Sequence, residues 1–151
     1  MRRQRSGKIV NITSMGGRIS IPLSAFYHGS KFALEGLSES MRYETRPFGI
    51  RIIAIEPGAV STNIFSNLKM AKMAADTSTP SPYSQMMQGL EKAAGQMLKY
   101  SIPPLEVAKV IVNAVTSDNP DFRYVVGDDA AQTLEAAKKM SNREFEETIE
   151  K

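Results

Sequence analysis

Apolar and polar positions along the chain change period several times, and each change marks an element. Lys8 to Ile12 is a short β-branched run, bounded by Gly7 and by the hydroxyls of Thr13 and Ser14. Such a run predicts a buried strand. The stretch SMGGRISIPLSA that follows has the Gly, Ser and Pro of a loop. From Ser24, a candidate N-cap, the spacing becomes helical: Leu34, Leu37 and Met41 share one face, with Glu35, Glu39 and Glu44 on others. This helix is expected to run to about Thr45 and to stop at Pro47 and Gly49. IRIIAIEPG is a second, almost continuously apolar strand, ended by Pro57-Gly58.

A short helix is predicted from Asn63 to Ala75, then the loop DTSTPSPYS and a Met-rich helix from about Ser84 to Lys99. Pro103 and Pro104 open a helix with apolar Val107, Val110, Ile111 and Val115. FRYVVG is a third strand, and DDAAQTLEAAKKM and NREFEETIE close the chain as helices. Strand, helix, strand, helices, strand is an α/β pattern with a parallel sheet, within a single domain over 1–151. Near-continuous apolar strands are covered on both faces. Ligands in such sheets bind beyond the carboxyl ends of the strands, so Ser14 and Pro57-Gly58 should rise at one rim.

Composition narrows the chemistry. Hydrophobic content of 42% and charge of 23% are those of a globular protein. No run approaches the length of a membrane span, and the start MRRQRSGK followed by IVNITS lacks a secretory core; a cytoplasmic location is expected. A net charge of +3, concentrated in Arg2, Arg3, Arg5 and Lys8, gives no basic stripe for nucleic acid. Without cysteine there are no disulfides or thiolates, and one histidine excludes metal sites built on several imidazoles. That residue, His28, points about 100° away from Tyr27 around the helix and reads as partly exposed.

Tyr27 and Lys31 are i and i+4, neighbours on one helical face. A free phenol titrates near 10 and is a poor base at neutral pH, but an ammonium beside it favours the phenolate. A phenol so placed gives or takes a proton at a substrate oxygen. Ser14, at the strand end, can hydrogen-bond that same oxygen.

GKIVNITS, thirteen residues from Ser14 to Tyr27, YHGSK and then IRIIAIEPGAVST together resemble the short-chain dehydrogenase/reductase family in order, spacing and local sequence. The match runs from about Gly7 to Thr62, and PPLEVAKVIVNAV with RYVVG extends it to about Gly127. The resemblance implies a Rossmann-like doubly wound parallel sheet and oxidoreduction between an alcohol and a carbonyl with NAD or NADP. It implies Ser14 as the residue that positions the substrate, Tyr27 as general acid/base, and Lys31 as the ribose-binding residue that favours the phenolate. Pro57-Gly58 would begin the family's carboxamide turn, with the Val60 backbone and the Thr62 side chain in contact with the nicotinamide carboxamide. Residues 60–99 correspond to the substrate-binding flap, with Met70, Met73, Met86, Met87 and Met97 as an adaptable apolar lining or as helix packing. SAFYHGSKFALEGLSESMRYE is similar to members acting on lipophilic alcohols and ketones such as steroids and retinoids.

The resemblance covers the family's carboxyl-terminal half alone. The glycine-rich cofactor turn, the family's N-A-G segment and its catalytic asparagine find no counterpart; Asn11, inside the first strand, reads as a structural hydrogen-bonding residue. Met1 falls where full-length members end a helix, which suggests a truncated chain or a start at an internal methionine. Two readings follow: the catalytic half of an NAD(P)-dependent oxidoreductase, or a catalytically silent fragment acting through binding or self-association. A homo-oligomer is expected, through the free edge of the first strand and the helix from Ser24, using Phe32, Leu37 or Ser40.

Overall fold

A computed structural model of the chain describes residues 1–64, 67 and 81–149. Three strands, β1 (Gly7–Ile12), β2 (Ile50–Pro57) and β3 (Arg123–Val126), form a parallel sheet in the order β1-β2-β3. Ile9 lies opposite Ile52, Ile12 opposite Ile55, and β2 pairs β3 from Ala54 opposite Arg123 to Pro57 opposite Val126. All three strands therefore end at one rim. The described helices are α1 (Ala25–Thr45), α2 (Ser84–Lys99), α3 (Pro104–Thr116), α4 (Asp128–Lys139) and α5 (Asn142–Ile149). None of the described helices is long and apolar enough to cross a membrane.

The two faces of the sheet are chemically different. On one, Ile53, Ile55 and Val126 pack with Val107 and Ala114 of α3, and Val10, Val110, Ile111 and Tyr124 complete a dry core. Lys8 closes this face by donating to the carbonyls of Val115 and Ser117 at 2.6 Å, which satisfies the carboxyl end of α3 with a cation. On the other face α1 crosses β2, and its buried residues are His28, Glu35 and Ser38. Asn11 donates to Ser38 Oγ at 2.8 Å, and Ser38 Oγ donates to the Leu34 carbonyl at 2.6 Å, so Asn11 has the structural role expected of it.

Three expectations need correction. The inward stripe of α1 is polar: Glu35 is 4% exposed whereas Leu37 is 54% exposed, with Leu34 and Met41 half-buried. The cause lies across the interface, where the Arg123 guanidinium offers Glu35 a charged partner at 3.0 Å. β1 is half-buried rather than buried, with Ile12 44% exposed, because among the described residues it has a sheet neighbour on one side only. Ser24 is the N-cap of α1 by position, but its side chain makes no capping hydrogen bond.

The Met-rich helix α2 has the predicted bounds and no fully buried residue. Met87 and Met97 are half-buried and Met86 is exposed. Met70, Met73 and most of the predicted helix and loop between Asn63 and Ser84 lie outside the described residues.

The dry face makes a definite prediction. Ile53→Ala should cost about 2–5 kcal/mol of unfolding free energy by cavity formation. Ala114→Leu, at a position with no exposed surface, should cost about 1–3 kcal/mol by overpacking. Urea unfolding measures both, and near-zero losses would place the core elsewhere.

Candidate active site

Ser14 sits just past β1 and is the N-cap of a 3-10 turn, Met15–Gly17, its Oγ accepting from the Gly16 amide at 3.0 Å. The same Oγ makes a long 3.5 Å contact to the Pro57 carbonyl, which ties the ends of β1 and β2. Beside it, Thr13 sends both its amide and its hydroxyl to the Ile55 carbonyl at 2.8 Å. Tyr27 lies in the first turn of α1 and is 40% exposed. Its ring rests against Gly16: a Cβ there would come within 3.0 Å of the ring. Lys31, one turn on, donates from Nζ to the Ile12 carbonyl at 3.0 Å, with Nζ 5.8 Å from the Tyr27 ring centre. Ser14, Tyr27 and Lys31 thus lie around the end of β1.

His28 is not a partly exposed bystander. It is buried, Nδ1 lies 2.7 Å from the Gly16 carbonyl, and Nε2 accepts from the Ile21 amide at 3.1 Å. That pairing fixes the tautomer with the proton on Nδ1. Both nitrogens are committed to the loop between β1 and α1, so His28 braces the segment on which Ser14 and Tyr27 rest. The departure from expectation has a simple cause: the loop folds back over the helix start and covers the ring.

The segment after β2 is held on three sides. Gly58 donates to the Val126 carbonyl at 2.9 Å, Ala59 to Asp129 Oδ2 at 2.7 Å, and Ser61 to the Ile102 carbonyl at 2.9 Å. Ile102 in turn donates to the Ala59 carbonyl at 3.0 Å, making a parallel bridge opposite Val60. In such a bridge the N–H and C=O of Val60 itself face the other way, and neither has a partner among the described residues. Thr62 is exposed. Asp129 and Ile102 escaped the sequence reading, since an Asp in the first turn of a helix reads as ordinary dipole compensation.

Beneath this rim lies an ionic cluster. Arg123 Nε is 3.0 Å from Glu35 Oε2 and 3.1 Å from Glu56 Oε1, and its Nη2 is 3.0 Å from Glu39. Arg18, from the loop after Ser14, reaches Glu56 at 3.2 Å. Burial and then the neighbouring Glu35 push the Glu56 carboxyl up, outweighing both guanidiniums. The hydrogen bond from Arg123 pulls Glu39 down. Glu35 Oε1 and Glu56 Oε2 are buried without a partner.

A cleft of about 440 Å³ opens beside this cluster, lined by Arg18, Glu56, Arg123, Val125 and Leu134. A second, of about 210 Å³, lies at the other end of β2 between Arg42, Arg46, Arg51 and Phe122. Neither is lined by Ser14, Tyr27, Lys31 or the methionines of α2.

The family model described as short chain dehydrogenase matches residues 1–73. An uncharacterized oxidoreductase of Schizosaccharomyces pombe is 31% identical over 144 residues, 95% of this chain and 58% of that protein. The 3-ketodihydrosphingosine reductase of Bacteroides thetaiotaomicron is 34% identical over 127 residues, 84% of this chain and 46% of that protein. The chain therefore spans about half the length of the curated relatives it matches. Among solved structures, a short-chain dehydrogenase from Streptomyces avermitilis superposes with TM-score 0.72 at 32% identity, over 97% of this chain and 51% of that one. Two others share the fold at lower identity. One, from Burkholderia phymatum in complex with NAD, has TM-score 0.69 at 20% identity and covers 98% of this chain and 51% of that one. The other, from Burkholderia cenocepacia in complex with NADP, has TM-score 0.57 at 21%, covering 94% and 46%.

The ionic cluster predicts an unusual pH response. Glu56 binds its proton more tightly folded than unfolded, because its value is raised above 4.5. Its stabilising contribution is therefore full below the ordinary carboxylate range and is lost as pH rises through the raised value. Glu39, lowered, acts in the opposite sense: its contribution holds above the ordinary range and is lost as pH falls through its folded value. Urea midpoints from about pH 4 to 8 should show the native chain losing stability relative to Glu56→Gln as pH rises. Parallel curves would refute this.

Proposed function

Because this chain belongs to the short-chain dehydrogenase/reductase family, we propose that it forms the catalytic half of an NAD(P)-dependent oxidoreductase that interconverts an alcohol and a carbonyl. One observation carries the reading: Ser14, Tyr27 and Lys31 share the rim where the strands end, each anchored there by main chain. Ser14 Oγ contacts the Pro57 carbonyl, Lys31 Nζ the Ile12 carbonyl, and the Tyr27 ring packs on Gly16.

The residues fit the nicotinamide end of a dinucleotide. Val60 presents an N–H and C=O that have no partner among the described residues, the pair that a carboxamide matches, and Lys31 presents an ammonium beside the phenol. Lys31 would take the ribose hydroxyls, and the Pro57-Gly58 turn with Val60 and Thr62 the carboxamide. When bound, the cofactor gives or accepts hydride. The chain's own residues move the proton. Ser14 orients the substrate oxygen by a hydrogen bond, and Tyr27 donates the proton on reduction or removes it on oxidation. Lys31 stabilises the phenolate by charge. The choice between NAD and NADP is left open, since no described residue addresses the adenosine ribose.

The substrate class proposed is a lipophilic alcohol or ketone, in keeping with the sphingoid reductase among the relatives. A homo-oligomer in the cytoplasm completes the proposal. It is supported by the outer surface of α1, where Phe26 is 98% exposed and Phe32 and Leu37 are also exposed. The same face supports the second reading, a chain that acts through self-association without catalysis.

The reading is tested by Tyr27→Phe in a chimera joining this chain to the amino-terminal half of the Streptomyces avermitilis protein. Removal of the phenol oxygen should lower kcat by about 10² to 10⁴ with the fold intact. Near-normal kcat would end the assignment. The 151-residue chain by itself should bind either dinucleotide more weakly than micromolar. Its glycine pair after β1 is buried beneath Tyr27, His28 and α1, and its glycine after β3 is followed by two carboxylates. Neither turn offers amides to a pyrophosphate. Micromolar affinity by titration calorimetry would contradict this.

A further inference from the structure

The half-buried carboxylate of Asp129 belongs to no part of the chemistry above, yet it touches the turn proposed to hold the carboxamide. Its Oδ2 accepts the Ala59 amide at 2.7 Å. Its Oδ1 is buried and has no partner among the described residues. A carboxylate oxygen withdrawn from water without a hydrogen bond is costly, so its place has to be held by what surrounds it. Asp129 stands in the first turn of α4, where the helix dipole favours a negative charge.

Two glycines make room for it. A Cβ on Gly58 or on Gly127 would collide with the Asp129 carboxylate. Gly127 has φ of +105°, so its backbone favours glycine as well. Gly58 does not lie in the positive-φ region. Glycine is required at position 58 by the approach of the carboxylate, and by nothing in its own backbone angles.

The consequence falls on Val60. The Ala59 peptide is fixed at its amide by Asp129 and at its carbonyl by Ile102, which donates at 3.0 Å. The Ala59 carbonyl and the Val60 N–H belong to one peptide, and Ser61 donates to the Ile102 carbonyl at 2.9 Å, so the bridge turns the N–H and C=O of Val60 outward while Asp129 fixes the peptide that leads into it. Resting on the functional reading above, we propose that Asp129 is a positioning residue: it locks the turn after β2 so that Val60 meets the carboxamide of the nicotinamide ring. Its bond to Ala59 is charge-assisted, which makes it stronger than a neutral acceptor would be.

The test uses the whole ¹⁵N-labelled chain and nicotinamide mononucleotide, which carries the carboxamide and ribose without the adenosine half. In the native chain, millimolar mononucleotide should shift the Val60 and Thr62 amides. Asp129→Ala should speed hydrogen exchange at Ala59 and weaken the mononucleotide by about tenfold, the size expected for loss of a charged hydrogen bond. Asp129→Asn, which keeps an acceptor, should retain protection at Ala59 and most of the affinity. A purely structural role would move the unfolding midpoint in both variants and leave affinity unchanged in whichever folds. Mononucleotide affinity in Asp129→Ala equal to native would overturn the proposal. If Asp129→Ala does not fold, Gly58→Ala presses on the same carboxylate, and native affinity there would overturn it equally. Absence of any shift at Val60 and Thr62 in the native chain is a different failure: it would remove the cofactor reading itself, and the proposal with it.

Discussion

One guanidinium organises the face of the sheet that bears the site. Arg123 opens β3 opposite Ala54, and from there it binds Glu56 of β2 and both Glu35 and Glu39 of α1. Burial opposes its charge, but the hydrogen bonds it donates to Glu39 and Glu35 outweigh that and raise its value further. Replacing a buried ionic cluster by apolar groups is often neutral for stability, whereas removing one member strands the others. What such a cluster contributes is register. A helix bound by apolar contact alone can rotate or slide at small cost. A helix whose Glu35 and Glu39 must both reach Arg123 has one rotation and one height on the sheet.

The candidate catalytic residues inherit that register. Lys31 lies one turn before Glu35 on the same side of α1, and Tyr27 one turn before Lys31. Once Glu35 is fixed below, Lys31 must point at the end of β1, where its ammonium finds the Ile12 carbonyl. His28 secures the loop above, and Arg18 carries that loop back to Glu56. The ionic cluster, the loop and the helix therefore close on one another, and the rim on which chemistry is proposed is their common edge.

The dry face was legible from the sequence and the ionic face was not. Ile53, Ile55, Val107 and Val110 announce themselves by period and composition, and the strands and helices drawn from them have nearly the observed bounds. The positions of Ser14, Tyr27, Lys31 and the Pro57-Gly58 turn at element ends were legible from the pattern, whereas the roles proposed for them rest on the family resemblance. Glu35 was not, since an acid between Leu34 and Leu37 reads as solvent-facing until Arg123, distant in sequence, is seen beneath it. His28 and Asp129 share that difficulty: His28 is buried by the loop before α1 and Asp129 is engaged by the distant Ala59 amide, and no local pattern records either.

The same constraint shapes the outer surface. Because Glu35 and Ser38 occupy the inward stripe of α1, apolar residues at neighbouring positions are carried outward, among them Phe32 and Leu37. Turning the helix to bury them would take Glu35 and Glu39 away from Arg123 and Ser38 away from Asn11, and would swing Tyr27 and Lys31 off the rim. Loss of a buried charged partner costs about 3–5 kcal/mol, while burying one large aliphatic side chain returns about 1.5–3 kcal/mol. The ionic arrangement wins that comparison, and an apolar outer face on α1 is its physical consequence. Placement of the phenol and exposure of that face are thus two results of one choice of rotation.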